Sequence, residues 1–159
     1  MSIESESFSR IPQEVSWAEV ESYTRELTEI IAESGFEPDY LVGISRGGWM
    51  PAILLAHLMR WKPFASIDVK KDGDKRYVDE NSHINWDALF GLKVLLTEDM
   101  LESGISADVA RIFLQEHGAE VKIGCYFSRI DTKIQPDYVL KEGLPETIKF
   151  PWERFREGR

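Results

Sequence analysis

The alternation of short apolar runs with amphipathic segments is the feature of this sequence that most constrains its fold. Runs of strand type occupy residues 39–45, 64–69, 93–97, 121–127 and 138–140. Segments with apolar residues at helical spacing occupy residues 16–35, 50–60 and 106–118. Strands that alternate with helices favour right-handed crossovers and a parallel sheet. We therefore predict an α/β fold with helices flanking a parallel sheet.

The sequence also predicts where the domain begins. Ser16 and Glu19 have the spacing of a helical capping box, Gly35 is placed to end that helix, and Ser106 can cap a later one. We expect residues 1–13, which are rich in Ser and Glu, to be a flexible tail. Residues 14–159 then form a single domain, since a chain of this length suits one hydrophobic core.

Residues 70–88 are polar, charged and weakly periodic. They predict a long flexible loop, with a loose hairpin around Asn81 and Ser82. Loops of this length in compact domains often close over a ligand. This segment is therefore a candidate binding loop.

Charge and composition exclude several classes of function. The net charge of −9 disfavours nucleic-acid binding, which needs clustered Lys and Arg. No apolar run approaches the roughly 18 residues that span a membrane, and the N-terminus lacks the basic-then-apolar character of a signal peptide. Cys125 is the only cysteine, so no internal disulfide can form. We expect a cytoplasmic protein that binds neither membranes nor nucleic acids.

The stronger candidate site follows the run at residues 93–97, in the stretch VLLTEDMLESGIS. Glu98 and Asp99 place two adjacent carboxylates at a strand end, where they suit hydroxyl groups and a hydrated Mg²⁺ ion. The turn at residues 102–106 can offer backbone N–H groups, with the Ser103 and Ser106 hydroxyls, to a phosphate at a helix N-terminus. The alternative is a helix cap beside two solvated acids.

A second candidate follows the first strand, in the stretch VGISRGGWMPA. Gly47 and Gly48 let the backbone approach a ligand closely, and Arg46 offers a planar fork for phosphate oxygens. Taken alone, this glycine pair would be a structural turn.

Together and in this order, the two stretches resemble the motifs of type I phosphoribosyltransferases, over residues 15–152. The first resembles their binding signature for 5-phosphoribosyl-1-pyrophosphate (PRPP). The resemblance implies that Glu98 and Asp99 hold the ribose hydroxyls and, through these or water, Mg²⁺. It assigns the sugar 5-phosphate to the turn that contains Glu102, Ser103, Gly104, Ile105 and Ser106.

The Ser45-Arg46-Gly47-Gly48 stretch is similar to the pyrophosphate loop of bacterial xanthine-guanine and related 6-oxopurine enzymes. There the peptide before the arginine position is often cis. The resemblance makes Ser45, Gly47 and Gly48 substrate-binding residues and Arg46 a catalytic one. Phe-Pro-Trp-Glu at residues 150–153 resembles the small C-terminal hood of purine enzymes.

The polar segment at residues 70–88 stands where the family has a flexible catalytic loop. The resemblance implies that a cation from it reaches the pyrophosphate as the loop closes. The candidates are Lys70 and Lys71, of which we assign Lys71 a catalytic role, and further along Lys75 and Arg76. The alternative for each is a solvated loop charge.

The base pocket departs from the family pattern. Glu102 stands where 6-oxopurine enzymes have an aspartate near the base N7, and we assign it a catalytic role. Arg129 falls where a lysine contacts the 6-oxo group. The aromatic residue that stacks on the base is replaced by Thr147 and Ile148, although backbone groups near Ile148 can read a base edge.

The resemblance implies an Mg²⁺-dependent transfer of phosphoribosyl from PRPP to a purine base, most suitably a 6-oxopurine. It also implies a homo-oligomer, a dimer or tetramer. The alternative is a non-catalytic protein of the same fold that senses PRPP or a nucleotide. A phosphatase or NTPase is disfavoured because its signature loops are missing.

A few other residues carry simpler expectations. His57 is predicted on a core face of the second helix, and Cys125 in the core of a strand. Trp61 and Trp86 border loops, where they are candidates for packing or for an interface.

Overall fold

The computed structural model of the protein describes residues 14–81 and 84–156. It contains three α-helices, α1 (Trp17–Glu33), α2 (Trp49–Leu58) and α3 (Ile105–Glu116). The strands are β1 (Tyr40–Ile44), β2 (Phe64–Ile67), β3 (Val69–Asp72), β4 (Lys75–Val78), β5 (Lys93–Thr97), β6 (Met100–Leu101), β7 (Glu120–Arg129) and β8 (Tyr138–Leu144). Two 3₁₀-helices, Trp86–Leu89 and Pro151–Arg156, complete the described elements.

Six of these strands form one parallel sheet, as the sequence predicts. Its order is β2-β1-β5-β7-β6, and β8 also pairs with β7. Gly124 of β7 pairs with Thr97 of β5 and with Tyr138 of β8, so β5 and β8 lie on opposite edges of β7. The three central strands are buried from both sides, which explains their nearly continuous apolar runs.

Successive residues of the central strands face two separate cores. Leu41 and Leu95 belong to the core beneath α1 and α2, whereas Val42 and Leu96 belong to the core beneath α3. Cys125 is fully buried in the second core, which confirms its predicted place. Helices on both faces of the sheet thus leave the ends of the strands as the free surface for a site.

The first helix starts as predicted. The Ser16 hydroxyl accepts a hydrogen bond from the Glu19 amide at 3.2 Å, and the Glu19 carboxylate accepts one from the Ser16 amide at 2.9 Å. This reciprocal capping box fixes the entry to α1 and contributes about 1 kcal/mol.

The predicted position of the hairpin is wrong. The antiparallel strands β3 and β4 pair from Val69 opposite Val78 to Asp72 opposite Lys75, so the turn lies at Gly73 and Asp74. Gly73 has a φ of 58°, which this tight turn requires. Asn81 follows the hairpin, and Ser82 lies outside the described residues.

Two further expectations are corrected. Ser106 does not cap α3: the cap position is Gly104, with a φ of 78°, and Ser106 is the second residue of the helix. His57 is exposed and does not face the core, because the buried face of α2 is formed by smaller and more apolar residues.

No helix among residues 14–81 and 84–156 is long and apolar enough to cross a bilayer. The predicted flexible tail, residues 1–13, lies outside the described residues.

Candidate active site

The two strand ends singled out from the sequence meet in the structure. β1 and β5 are parallel neighbours, and Gly43 pairs with Thr97 at their carboxyl ends. The Thr97 hydroxyl donates a 2.8 Å hydrogen bond to the carbonyl oxygen of Gly48. The loop after β1 is thereby fixed to the end of β5.

Close packing explains why this loop contains two glycines. A β-carbon on Gly48 would lie 2.1 Å from the Thr97 carbonyl oxygen. A β-carbon on Gly47 would lie 2.7 Å from each carboxylate oxygen of Asp99. The candidate pyrophosphate loop and the candidate ribose carboxylate are therefore in direct contact.

Asp68, which follows β2, holds the start of the loop after β1. The peptide between Ser45 and Arg46 is cis, as the resemblance implied. The Ser45 hydroxyl donates to the Asp68 carboxylate at 2.8 Å, and Lys70 forms an ion pair with Asp68 at 2.6 Å. The hydrogen bonds from Lys70 and Ser45 lower the pKa of Asp68. Arg46 itself is exposed at the open end of the sheet.

Asp99 is tied to both the sheet and the C-terminal segment. One carboxylate oxygen accepts a hydrogen bond from the Met100 amide at 2.6 Å, and the other accepts one from the Trp152 indole at 3.3 Å. Burial raises the pKa of Asp99 to about 6, against the lowering effect of these two donors. Trp152 also stacks on Phe150, with ring centroids 4.8 Å apart.

The pKa of the neighbouring Glu98 is raised more strongly than that of Asp99. Burial, followed by the charge of Asp99, raises the pKa of Glu98 well above its usual range. In the free protein, the negative charge of one carboxylate therefore disfavours ionisation of the other. A bound cation or a set of hydroxyl donors would favour the ionised form of both carboxylates.

The turn before α3 has the features of a phosphate site. Gly104 occupies the cap position, and no side chain caps the helix. The Ser103 hydroxyl accepts from the Ile105 amide at 3.3 Å, which shapes the turn. Gly104 packs against Ile134 and Thr132, since a β-carbon there would lie 2.7 Å and 2.8 Å from their side chains.

The hairpin brings one predicted loop cation to this turn. The Arg76 guanidinium donates to the Ser106 hydroxyl at 3.5 Å. Lys71 lies directly opposite Arg76 in the hairpin and is exposed, while Lys70 is committed to Asp68. In this structure, Arg76 is the loop cation that contacts the turn before α3.

Each of the predicted base-pocket residues already has a hydrogen-bond partner within the protein. The Thr147 hydroxyl donates to the Glu102 carboxylate at 3.1 Å. The Ile148 amide donates to the Met100 sulfur at 3.3 Å. The Arg129 Nη2 atom donates to the Asp131 carboxylate at 2.9 Å, whereas the buried Nε atom lies 2.9 Å from the other carboxylate oxygen without making a hydrogen bond.

Sequence reasoning missed two residues of the site, Thr97 and Asp68, and one contact, between Trp152 and Asp99. Thr97 could have been recognised as a hydroxyl at the last position of a buried strand, where it needs a partner. Asp68 follows the second strand, and a carboxylate at the end of a parallel strand is itself a signal. The contact of Trp152 with Asp99 spans 53 residues, and no local pattern reveals it.

Comparison with known proteins agrees with this geometry. The model of the phosphoribosyl transferase domain matches residues 16–156. The fold and the site thus define a phosphoribosyltransferase domain, the domain of a class of glycosyltransferases. The chain belongs to the type I phosphoribosyltransferase family and is similar to its purine enzymes.

Three solved structures illustrate the similarity. The purine phosphoribosyltransferase from Pyrococcus horikoshii is 30% identical, with a TM-score of 0.78 over 88% of this chain and 92% of that one. The Helicobacter pylori xanthine-guanine-hypoxanthine phosphoribosyltransferase is 21% identical, with a TM-score of 0.76 over 91% and 95%. A Neisseria gonorrhoeae hypothetical protein with bound ppGpp is 17% identical, with a TM-score of 0.74 over 87% of each chain. No curated protein matches the sequence.

Proposed function

We propose that this protein transfers the phosphoribosyl group of PRPP to a 6-oxopurine base and releases pyrophosphate. The observation that carries the proposal is the contact between Gly47 and Asp99. It places the candidate pyrophosphate loop against the candidate ribose carboxylates. The turn beside α3 supplies the third subsite, for the 5-phosphate, at a helix N-terminus without a side-chain cap.

The chemistry is a displacement at ribose C1. A ring nitrogen of the base forms the new bond as the C1–oxygen bond to pyrophosphate breaks and its electron pair leaves with the pyrophosphate. The proton of the base's imidazole ring is lost to solvent, so the product base is neutral. Arg46 and the backbone at Gly47 and Gly48 stabilise the charge that builds on the leaving group. Catalysis of this kind depends on positioning, so no covalent nucleophile is needed.

The carboxylates fit a Mg²⁺ ion that is held mainly by substrate and water. Among residues 14–81 and 84–156, no cluster of three or more His, Cys, Asp or Glu side chains could hold a metal by itself. Glu98 and Asp99 nevertheless supply the hard oxygen ligands that Mg²⁺ prefers, and a hydrated ion needs only one or two carboxylates. When bound, the ion would neutralise charge on the pyrophosphate.

The base is proposed to lie between the Glu102 turn and the C-terminal hood. Glu102 would accept a hydrogen bond from the base near N7. Arg129 would donate to the 6-oxo group after releasing Asp131, and the backbone near Ile148 would read the base edge. The Glu102–Thr147 hydrogen bond already joins the turn to the segment just before the hood. A family member of this type would act in the cytoplasm as a homo-oligomer.

The direct test is pyrophosphate release with PRPP, Mg²⁺ and a panel of bases. Turnover with guanine, xanthine or hypoxanthine supports the proposal, and Asp99→Asn provides the inactive control. A protein that binds PRPP saturably but releases no pyrophosphate with any base would contradict it.

One observation favours the second candidate, a PRPP or nucleotide sensor of the same fold. Thr147 stands where an aromatic ring would stack on the base, and its hydroxyl is bound to Glu102. A site that binds ribose and phosphates tightly but a base weakly suits a protein that senses PRPP or a nucleotide. Calorimetry with PRPP and with purine nucleotides, run beside the turnover assay, separates the two functions.

A further inference from the structure

The start of the candidate pyrophosphate loop is fixed to strand β2 through both hydrogen-bond donors of Ser45. The Ser45 amide donates to the Ile67 carbonyl oxygen at 2.9 Å, and the Ser45 hydroxyl donates to the Asp68 carboxylate at 2.8 Å. β2 lies at one end of the strand order, beside β1. Ser45 therefore joins the loop to the neighbouring strand, and its hydroxyl already has a partner within the protein.

The end of the loop is fixed to the same strand. Trp49, which directly follows Gly48, donates from its indole nitrogen to the Ser66 hydroxyl at 2.6 Å. Successive side chains of a strand point to opposite faces of the sheet. Ala65 and Ile67 belong to the core beneath α3, so Ser66 points to the other face, which α2 covers.

The stretch FASIDV at residues 64–69 thus places a hydroxyl and a carboxylate two positions apart, one for each end of the loop. Between these ends lie Gly47 and Gly48, whose backbone has many accessible conformations and is therefore costly to order. Contacts that fix such a loop before binding reduce this entropic cost, and the reduction increases the affinity for the ligand.

Asp68 also joins the loop to the hairpin formed by β3 and β4. Its carboxylate pairs with Lys70 at 2.6 Å, and its carbonyl oxygen accepts a hydrogen bond from the Asp79 amide at 2.8 Å. The side chains of Asp68 and Lys70 are 44% and 47% exposed, and ion pairs between such exposed groups add little to stability. These contacts are therefore explained better by an effect on the position of the loop than by an effect on the stability of the fold.

We propose that Asp68 is a positioning residue of the pyrophosphate subsite, which acts through Ser45 and holds the loop in its binding conformation without contacting the ligand. Ser66 has the same role through Trp49. The inference rests on the proposed function, because it concerns the subsite assigned there to pyrophosphate. Such indirect groups matter in this kind of catalysis, since a displacement of about 1 Å can cost on the order of 100-fold in rate.

The first test is calorimetry with two probes, magnesium pyrophosphate for this subsite and ribose 5-phosphate for the other two. Asp68→Ala should weaken the binding of magnesium pyrophosphate roughly tenfold and leave the affinity for ribose 5-phosphate unchanged. Asp68→Asn should retain most of the affinity, because its amide oxygen can still accept the Ser45 hydroxyl. A loss of both affinities together would indicate a general structural role and overturn the inference.

Asp39→Ala is the matched control. Asp39 precedes β1, at the opposite end of the sheet from the loop, and its carboxylate accepts a 2.8 Å hydrogen bond from the Lys93 amide. Its substitution also removes a contact between neighbouring strands, but both affinities should stay unchanged. If the Asp68→Ala and Asp39→Ala variants bind magnesium pyrophosphate equally well, the positioning role alone is wrong. A wild-type protein that binds no magnesium pyrophosphate would contradict the proposed function as well.

A double-mutant cycle tests whether Asp68 acts through Ser45. Because Ser45→Ala removes the hydroxyl, Asp68→Ala should then have little further effect on the affinity for magnesium pyrophosphate, so the two losses should not add. Ser66→Ala should weaken pyrophosphate binding as selectively as Asp68→Ala does. An equal effect of Asp68→Ala with and without the Ser45 hydroxyl would show that Asp68 acts by another route and would overturn the inference.

Discussion

A β-carbon on Gly47 would lie 2.7 Å from both carboxylate oxygens of Asp99, so the two motifs of this family are in contact before any ligand binds. Gly48 is equally confined, but by backbone: its β-carbon would lie 2.1 Å from the Thr97 carbonyl oxygen. A substitution at Gly47 meets a side chain of the candidate site and should affect ligand binding, whereas a substitution at Gly48 meets the backbone and should affect stability.

Gly48→Ala is expected to lower the free energy of unfolding by about 1–3 kcal/mol, because the backbone of β5 must move to make room. Gly47→Ala should cost less stability, since the Asp99 carboxylate can rotate away. That rotation should weaken PRPP binding. Urea unfolding and calorimetry with PRPP and Mg²⁺ measure the two effects. Equal stability losses in both variants would contradict this distinction.

The free protein should become more stable when Glu98 is replaced by Gln, although PRPP binding is lost. The raised pKa values of Glu98 and Asp99, the latter about 6, mean that the folded protein binds more protons than the unfolded chain at pH values between the ordinary pKa values and the raised ones. Stability therefore falls as pH rises through this range. Glu98→Gln removes one of the two groups responsible.

The measurement is thermal unfolding without ligand between about pH 4 and pH 8. The variant should exceed the wild type at the upper end and converge with it at the lower end, where both carboxyl groups are protonated. Glu80→Gln, at an exposed position before the 3₁₀-helix, serves as a control. A Glu98 variant that is less stable than the wild type at every pH would contradict the destabilising effect of two buried, neighbouring carboxylates.

The sequence predicted the sheet well because its signals are local. Buried parallel strands produce apolar runs, and the Ser16–Glu19 pair marks a helix start within four residues. The hairpin was misplaced because Asn81 and Ser82 are typical turn residues, whereas the actual turn depends on Gly73 and a charged sequence with no apolar alternation. His57 was misplaced because α2 is apolar on every side, so its periodicity cannot distinguish the inner face from the outer one.

The site was predictable only as far as its motifs are contiguous. Glu98, Asp99 and the turn before α3 lie in one stretch, and their side-by-side arrangement follows from a strand that leads into a helix. The Trp152–Asp99 and Arg76–Ser106 contacts join segments 53 and 30 residues apart. Such contacts depend on the complete tertiary structure, and a single sequence does not encode them as a pattern.

Arg46→Ala is expected to lower kcat on the order of 100-fold, with a smaller change in the KM for the base. The guanidinium should act mainly as charge builds on the departing pyrophosphate, so the lost interaction belongs to the transition state. Steady-state kinetics with saturating PRPP measure the effect, and Arg46→Lys should retain part of the rate. A change confined to KM would remove Arg46 from this role.

Arg76→Ala is expected to weaken PRPP binding by about tenfold or more, because hydrogen bonds to charged groups contribute roughly 1.5–3 kcal/mol. The Ser106 contact places its guanidinium beside the turn proposed to bind the 5-phosphate. Lys75→Ala, at the adjacent exposed position, is the matched control for a general loss of positive charge. Lys71→Ala should instead lower turnover, if Lys71 reaches the pyrophosphate when the loop closes. Equal affinities in the Arg76 and Lys75 variants would show that the Ser106 contact carries no binding role.

Arg129 is expected to determine which base the protein accepts. We expect guanine, xanthine or hypoxanthine to be preferred over adenine and the pyrimidines. A guanidinium donates to a 6-oxo group, whereas adenine would oppose it with an amino donor. Sites built to pair a substrate oxygen can reject the mismatched analogue by several orders of magnitude, because the buried donor is left without a partner.

In the free protein, the Arg129 guanidinium is bound to Asp131 through two contacts of 2.9 Å. Reading the base therefore requires exchange of that carboxylate for the 6-oxo group. Arg129→Ala should reduce the ratio of kcat/KM for guanine to that for adenine. Asp131→Asn should keep the ratio high, since it weakens only the competing contact. Kinetics with both bases decide between the alternatives: a ratio that Arg129→Ala leaves unchanged removes Arg129 from base recognition, and a wild-type preference for adenine or a pyrimidine would overturn the 6-oxopurine proposal itself.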